Sequence, residues 1–222
     1  MALRAKKYPV AFDVLERLSI LIEADDRKPI KDFFTGWFDQ SYEEITLAAL
    51  KDNKPDVANI AAGKISDSLR RAEALRKIAS HYFNKKNFTA ASSALKSSLK
   101  AVKDGEDGNR KILTLLRLTS AFQKIDKTGV AETIEMTARL LDSFPAPKAE
   151  DKPDGEIYQK YVESVIFIDA ELIGTLEELL PVNKIEANSL ADRLNRKEFK
   201  VAASWALLRE KLKSMETAPQ IK

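Results

Sequence analysis

The chain of 222 residues has no cysteine, a single histidine (His81), seven glycines and no long hydrophobic run. Without cysteine there is no disulfide framework, no thiolate metal site and no cysteine nucleophile. One histidine excludes a two-histidine zinc site and a histidine-pair proton relay within one chain. So few glycines leave no room for a glycine-rich phosphate cradle. No apolar stretch approaches the roughly 20 residues that a spanning helix needs. The basic start, Met1-Ala-Leu-Arg-Ala-Lys-Lys-Tyr-Pro, has no apolar core behind it, so a cytoplasmic location is the expectation. Lys plus Arg number 37 against 34 Asp plus Glu, a formal charge of +3. That balance implies no strongly anionic partner.

What the chain does have is helical periodicity. Phe88, Ala91, Leu95, Leu99 and Val102 recur at steps of three or four, as do Leu69, Ala72, Leu75, Ile78 and Tyr82. Near the end, Phe199, Ala202 and Ala206 with Trp205, Leu208 and Leu212 read as one wide stripe. Pro9, Pro29 and Pro55 stand where a helix begins, and Asp67 and Asn87 are placed to cap the segments behind them. About eleven helices are expected, over 9–23, 28–38, 42–52, 55–65, 68–84, 88–103, 109–125, 129–142, 155–180, 184–195 and 198–215, the ninth breaking near Gly174. The fold class is all-α. The stretch 143–155, with three prolines, is a surface loop within one continuous domain, 1–222.

A pattern recurs along the chain. Leu3 to Tyr8 and Ala11, Leu50 to Pro55 and Ala58, Phe83 to Phe88 and Ala91, and Leu194 to Phe199 and Ala202 each carry a large apolar residue. Four mostly polar residues follow, then an aromatic or proline, then alanine three further on. A fifth copy runs from Phe122 to Ala131 with one residue inserted. Such a unit is two helices joined by a polar turn. The opening aromatic packs between them, and the small alanine lets their backbones approach. One hairpin cannot bury its apolar faces alone, but stacked copies can.

The unit from Ala72 through Ile78, Ala79, Tyr82 and Phe88 to Ala91 resembles a tetratricopeptide-like repeat, best over 67–103 and more loosely over 1–65, 109–142 and 184–215. It lacks the Trp-x-x-Leu-Gly signature of that family. The alanine spacings of 33 to 47 also suit longer, HEAT-like units. The resemblance implies a right-handed superhelix, or solenoid, of antiparallel helix pairs whose groove binds a protein or peptide. First-helix residues Arg70, Glu73, Lys77 and His81, at steps of three and four, would line that groove.

Chemistry-bearing motifs are few. Ser93-x-x-Lys96, Ser97-x-x-Lys100 and Lys127-Thr128-Gly129 imitate a penicillin-recognising hydrolase. That chemistry needs the Lys-Thr-Gly element on a strand beside the nucleophile helix, and no strand is expected. Asp104 to Asn109 fails the calcium-loop pattern at its fifth, sixth and twelfth positions. Glu43-Glu44 and Glu177-Glu178 point in different directions on a helix. No catalytic residue, cofactor or metal site follows. Basic pairs at the turns (Lys6-Lys7, Arg70-Arg71, Lys85-Lys86, Arg110-Lys111, Arg196-Lys197) would form a ridge for RNA only if the array aligned them. The aromatic run Phe33, Phe34, Trp37 and Phe38 covers more than one helix face, and Phe34, Trp37 and Phe38 are candidates for a partner anchor. Tyr158, Tyr161 and Phe167 repeat that pattern later. The function expected is a non-catalytic scaffold or adaptor. A self-associating structural subunit and a helical-repeat RNA binder are the alternatives.

Overall fold

Ten α-helices and one short 3-10 turn make up the described part of the chain, and there is no strand among the described residues. The computed structural model describes residues 8–23, 27–146 and 155–216, with side chains to 213. The helices are α1 (Tyr8–Glu23), α2 (Lys28–Lys51), α3 (Pro55–Lys64), α4 (Ser68–Asn84), α5 (Phe88–Asp104), α6 (Asn109–Ile125), α7 (Val130–Asp142), α8 (Glu156–Leu179), α9 (Lys184–Arg193) and α10 (Lys197–Glu216). Packing divides them into two units, one up to Gly105 and one from Glu106. Leu3 to Lys7 of the first repeat copy, the pair Lys6-Lys7 and residues 147–154 of the proline-rich stretch lie outside the described residues.

In the first unit α2 pairs with α3 and α4 with α5. Both hairpins close with the same Schellman turn. Asn53 and Lys86 sit in the left-handed region at φ 59° and 60°. Lys54 N–H reaches the Ala49 carbonyl and Asn53 N–H the Leu50 carbonyl. Asn87 and Lys86 do the same to Tyr82 and Phe83. Asn87 then caps α5, accepting from Ala90 N–H at 3.2 Å. The expected polar tetrads are therefore real turns. Ala58 and Ala91 are fully buried behind them.

Three details differ. Phe88 does not enter the helix pair. The tight turn swings it outward, 56% exposed, with its ring edge against Phe83 at 5.6 Å. Ala131 is exposed and Val130 takes the buried place, because the extra residue rotates the helix by one position. The segments 28–38 and 42–52 form one helix, α2. Asp39, which lies between the two expected segments, points its carboxylate at a different turn. It accepts from Ser66 N–H and Oγ, both at 2.7 Å, and from Asp67 N–H at 2.8 Å. It leaves its own backbone helical and holds the entry to α4, where Asp67 caps Arg70 N–H at 2.8 Å.

These ties set helix direction. Asp39 meets Ser66 27 positions on, and Glu43 meets Lys77 34 positions on, so α2 and α4 run parallel. Ser98 Oγ donates to the Ala72 carbonyl at 2.7 Å across the antiparallel α4–α5 pair.

The second unit repeats this plan at a longer period. Arg117 meets Glu171 and Lys124 meets Glu178, each 54 positions on. Asn109 bonds Ser164 at a separation of 55. Asn195 bonds Asp142 with its backbone N–H at 2.8 Å and its side chain at 2.6 Å, 53 positions apart. Thus α6 and α8 run parallel, and the α6–α7 hairpin corresponds to the end of α8 plus α9. Ala131 and Ala202 are 71 positions apart, more than one such period, so they do not mark equivalent places in the unit. Gly174 does not break α8. The Lys127–Gly129 segment is the 3-10 turn between α6 and α7, where a Gly129 Cβ would lie 2.4 Å from the Phe122 ring. In α10 the wide stripe is two opposite faces. Phe199, Ala202 and Ala206 are buried, whereas Trp205, Leu208 and Leu212 are exposed.

Candidate functional site

The aromatic run lies in the first half of α2, the helix that Pro29 opens. Phe33 and Trp37, one turn apart, are 69% and 42% exposed. Phe34 and Phe38 are half-buried behind them. Phe33 meets Phe34 edge-on at 5.4 Å, Trp37 meets Phe38 at 5.5 Å, and Phe34 lies 6.4 Å from both Trp37 and Phe38. Each ring is thus braced by another, so an incoming group meets a surface already ordered. Phe38 also lines a cleft of about 350 Å³ between α1, α2 and the end of α3. Of the cleft's polar groups, Lys64 lies 3.9 Å from Glu16, and Asp39 is spent on the α4 turn.

Arg70, Glu73, Lys77 and His81 share one face of α4, all half-buried. Much of that face is turned toward α2. Lys77 Nζ lies 3.1 Å and Arg70 3.8 Å from the Glu43 carboxylate, and Arg76 holds Glu73 at 2.9 Å. His81 sits edge-on to Tyr82 at 6.3 Å. The other basic pairs are also partly engaged. Arg71 donates to the Ile65 carbonyl, buried Lys111 pairs with Asp107 at 2.9 Å, and Arg196 is enclosed, while Lys85, Lys86 and Lys197 stand exposed.

The enclosure of Arg196 is a cluster that the sequence does not reveal. Its guanidinium lies 5.8 to 6.0 Å from the rings of Phe144, Tyr161 and Phe199. It donates to the Phe144 carbonyl, to Tyr161 Oη at 2.9 Å and to Glu198. Tyr161 Oη donates to Glu198 at 2.5 Å, and burial together with that bond pushes the phenol up to about 12. Burial alone would raise Glu198, but the bonds from Tyr161 and Arg196 outweigh it and hold its carboxyl low. Every strong donor and acceptor here has a partner, so the cluster clamps the end of α7, α8 and α10 together and offers no free acid or base. Nearby Asp169 is raised to about 6 by burial and by Glu198, and its Oδ1 is buried with no hydrogen-bond partner among the described residues.

Ser93, Lys96, Ser97 and Lys100 lie exposed along one side of α5. Phe167 is exposed on α8, and Tyr158 and Tyr161 are half-buried. Among the described residues no group of three acidic, histidine or cysteine side chains is placed to hold a metal ion, and no helix is long and apolar enough to cross a membrane. No protein-family model matches the chain, and no curated protein matches it in sequence.

Proposed function

We propose that this chain is a non-catalytic scaffold or adaptor that binds a protein or peptide, and that its helix pairs are tetratricopeptide-like units of a solenoid. Support for the solenoid comes from the parallel pairing of first helices, α2 with α4 at offsets of 27 and 34 positions and α6 with α8 at 54. Stacked hairpins require that arrangement. The observation that carries the binding reading is the exposure of Phe33 and Trp37 side by side on an aromatic base. Large aromatics left in water and already braced are the residues that dominate interface energies. The α4 face, occupied largely by Glu43, is the weaker candidate for the groove. A self-associating subunit is the alternative, and the engaged basic pairs make RNA the least favoured partner.

The test is capture from the native source with quantitative mass spectrometry, using the chain and its Phe33→Ser/Trp37→Ser variant. Partners retained by the chain and lost by the variant support the reading. Identical sets for the two remove it.

A further inference from the structure

The charged residues of α10 are sorted by exposure. Phe199, Ala202, Ala203 and Ala206 are buried. That face packs on α8 and α9. On the other side Val201, Trp205, Leu208 and Leu212 are between 48% and 70% exposed. They advance by four, three and four residues, a single seam on a helix. Every exposed charged side chain of α10 with a described position is a cation: Lys197, Lys200, Arg209, Lys211 and Lys213. At about 100° per residue, Lys197, Lys200 and Lys211 border one side of the seam and Arg209 and Lys213 the other. Arg209 is already paired with Glu177 of α8 at 2.6 Å, so the charge offered to a partner is that of Lys197 and Lys200. The two carboxylates, Glu198 and Glu210, are half-buried, and Glu198 is held by Arg196 and Tyr161.

Within the same unit, α8 shows what such a seam does when covered. Ile168, Leu172, Thr175 and Leu179 advance by the same four, three and four, and all are buried. Thr175 reaches across to the Leu116 carbonyl of α6. The α10 seam has the same spacing and, among the described residues, no helix over it.

We propose that the outer face of α10 docks an amphipathic helix of a partner protein, one whose apolar stripe is bordered by Asp and Glu. The spacing selects a helix, because four-three-four is the step at which two helices interlock. The seam is also narrow, about 60° wide, whereas a helix lying in a bilayer buries a broader apolar sector. The charge selects the partner. Lys197 and Lys200 repel the same flank of an antiparallel second copy of α10 and attract carboxylates on the facing flank of a partner helix. This shares the protein-binding class of the reading above but uses a different helix from the α2 aromatics.

The experiment uses the full chain with Trp37→Phe, which leaves Trp205 as the only tryptophan. The probe is a three-heptad synthetic peptide with Leu along its seam and Glu on both flanks, set against a matched peptide with Lys flanks. The expected result is a saturable blue shift of Trp205 emission with the Glu peptide only. Lys197→Glu/Lys200→Glu weakens it by about tenfold or more and lets the Lys peptide bind. Leu208→Ser abolishes the shift. Ser204→Glu, which only adds a carboxylate at an exposed position, weakens it too. The proposal is overturned if neither peptide binds or both bind equally. It is also overturned if phosphatidylserine-containing vesicles bind and the Glu peptide does not, or if the chain instead dimerises through Leu208. Because Trp37 is already replaced, failure here leaves the α2 reading untouched, and failure of that reading leaves this titration valid.

Discussion

The carboxylate of Asp39, in the middle of α2, accepts the backbone N–H of Ser66 at 2.7 Å, ahead of the first turn of α4. One side chain is thus inside one helix and at the entrance of another. It is 2% exposed and also holds Ser66 Oγ and Asp67 N–H. Asp39→Ala leaves two backbone donors without this acceptor, and a loss of about 2–3 kcal/mol is expected. Asp39→Asn keeps one acceptor oxygen and should lose about 1 kcal/mol. Urea unfolding of the two variants measures both. Equal losses would mean that the cap is not what the carboxylate supplies.

Asp169 makes stability depend on pH. Its folded carboxyl is raised from 3.8 to about 6 by burial and by Glu198, so the folded chain holds the proton more tightly than the unfolded one. The cost of ionisation is absent below about 3.8 and complete above about 6. Stability contributed here therefore falls as pH rises through that window. Asp169→Asn should flatten this slope and raise stability near neutrality by about 1 kcal/mol, a value reduced for the half-exposed position. Thermal melts from pH 4 to 8 test it, and an unchanged slope would refute it.

The paired Schellman turns predict unequal responses to glycine. Lys86 holds φ 60°, a region costly for a long side chain, whereas Asn53 at φ 59° is a residue type that tolerates it. Lys86→Gly should stabilise by about 0.5–1 kcal/mol, and Asn53→Gly by less. Calorimetry of the two variants decides the order.

Two glycines should respond to alanine with opposite signs. A Cβ at Gly129 would lie 2.4 Å from the buried Phe122 ring, so Gly129→Ala should cost about 1–3 kcal/mol. At Gly174 nothing lies within 4 Å and the backbone is helical, so Gly174→Ala should gain about 1 kcal/mol. Circular dichroism melts of both variants provide the comparison.

Turns and caps were legible because their chemistry is local. A left-handed residue before a cap demands Asn, Gly or a tolerated Lys, and the tetrads at Lys51–Lys54 and Asn84–Asn87 show it. The mid-helix Asp39 was not legible as such, since a capping carboxylate reads the same whether it serves its own helix or another. The long period of the second unit stayed hidden for a different reason. The extra early turns of α8 and the proline-rich stretch lengthen the unit, so the buried positions of its two copies do not align by residue type. The Arg196 clamp joins residues 35 to 52 positions apart. Arg196, Tyr161 and Phe199 were readable only in separate patterns, and their meeting depended on packing. The aromatic patch was readable as four crowded rings, although which of them face water depended on packing. The two faces of α10 merged into one stripe because alanine and leucine count alike in a periodicity.

The constant offset between α6 and α8 bears on how fast the second unit can form. Its side-chain ties, Arg117 to Glu171 and Lys124 to Glu178, share one sequence separation of 54. The chain therefore closes loops of one length, and the entropy of closure grows only slowly beyond the first. Once α6 and α8 meet in register at one tie, the next lies two turns along and requires no new search. Zippering from a single encounter is the route this geometry favours, and that first encounter across 54 positions is the slow step compared with closing the local α6–α7 hairpin.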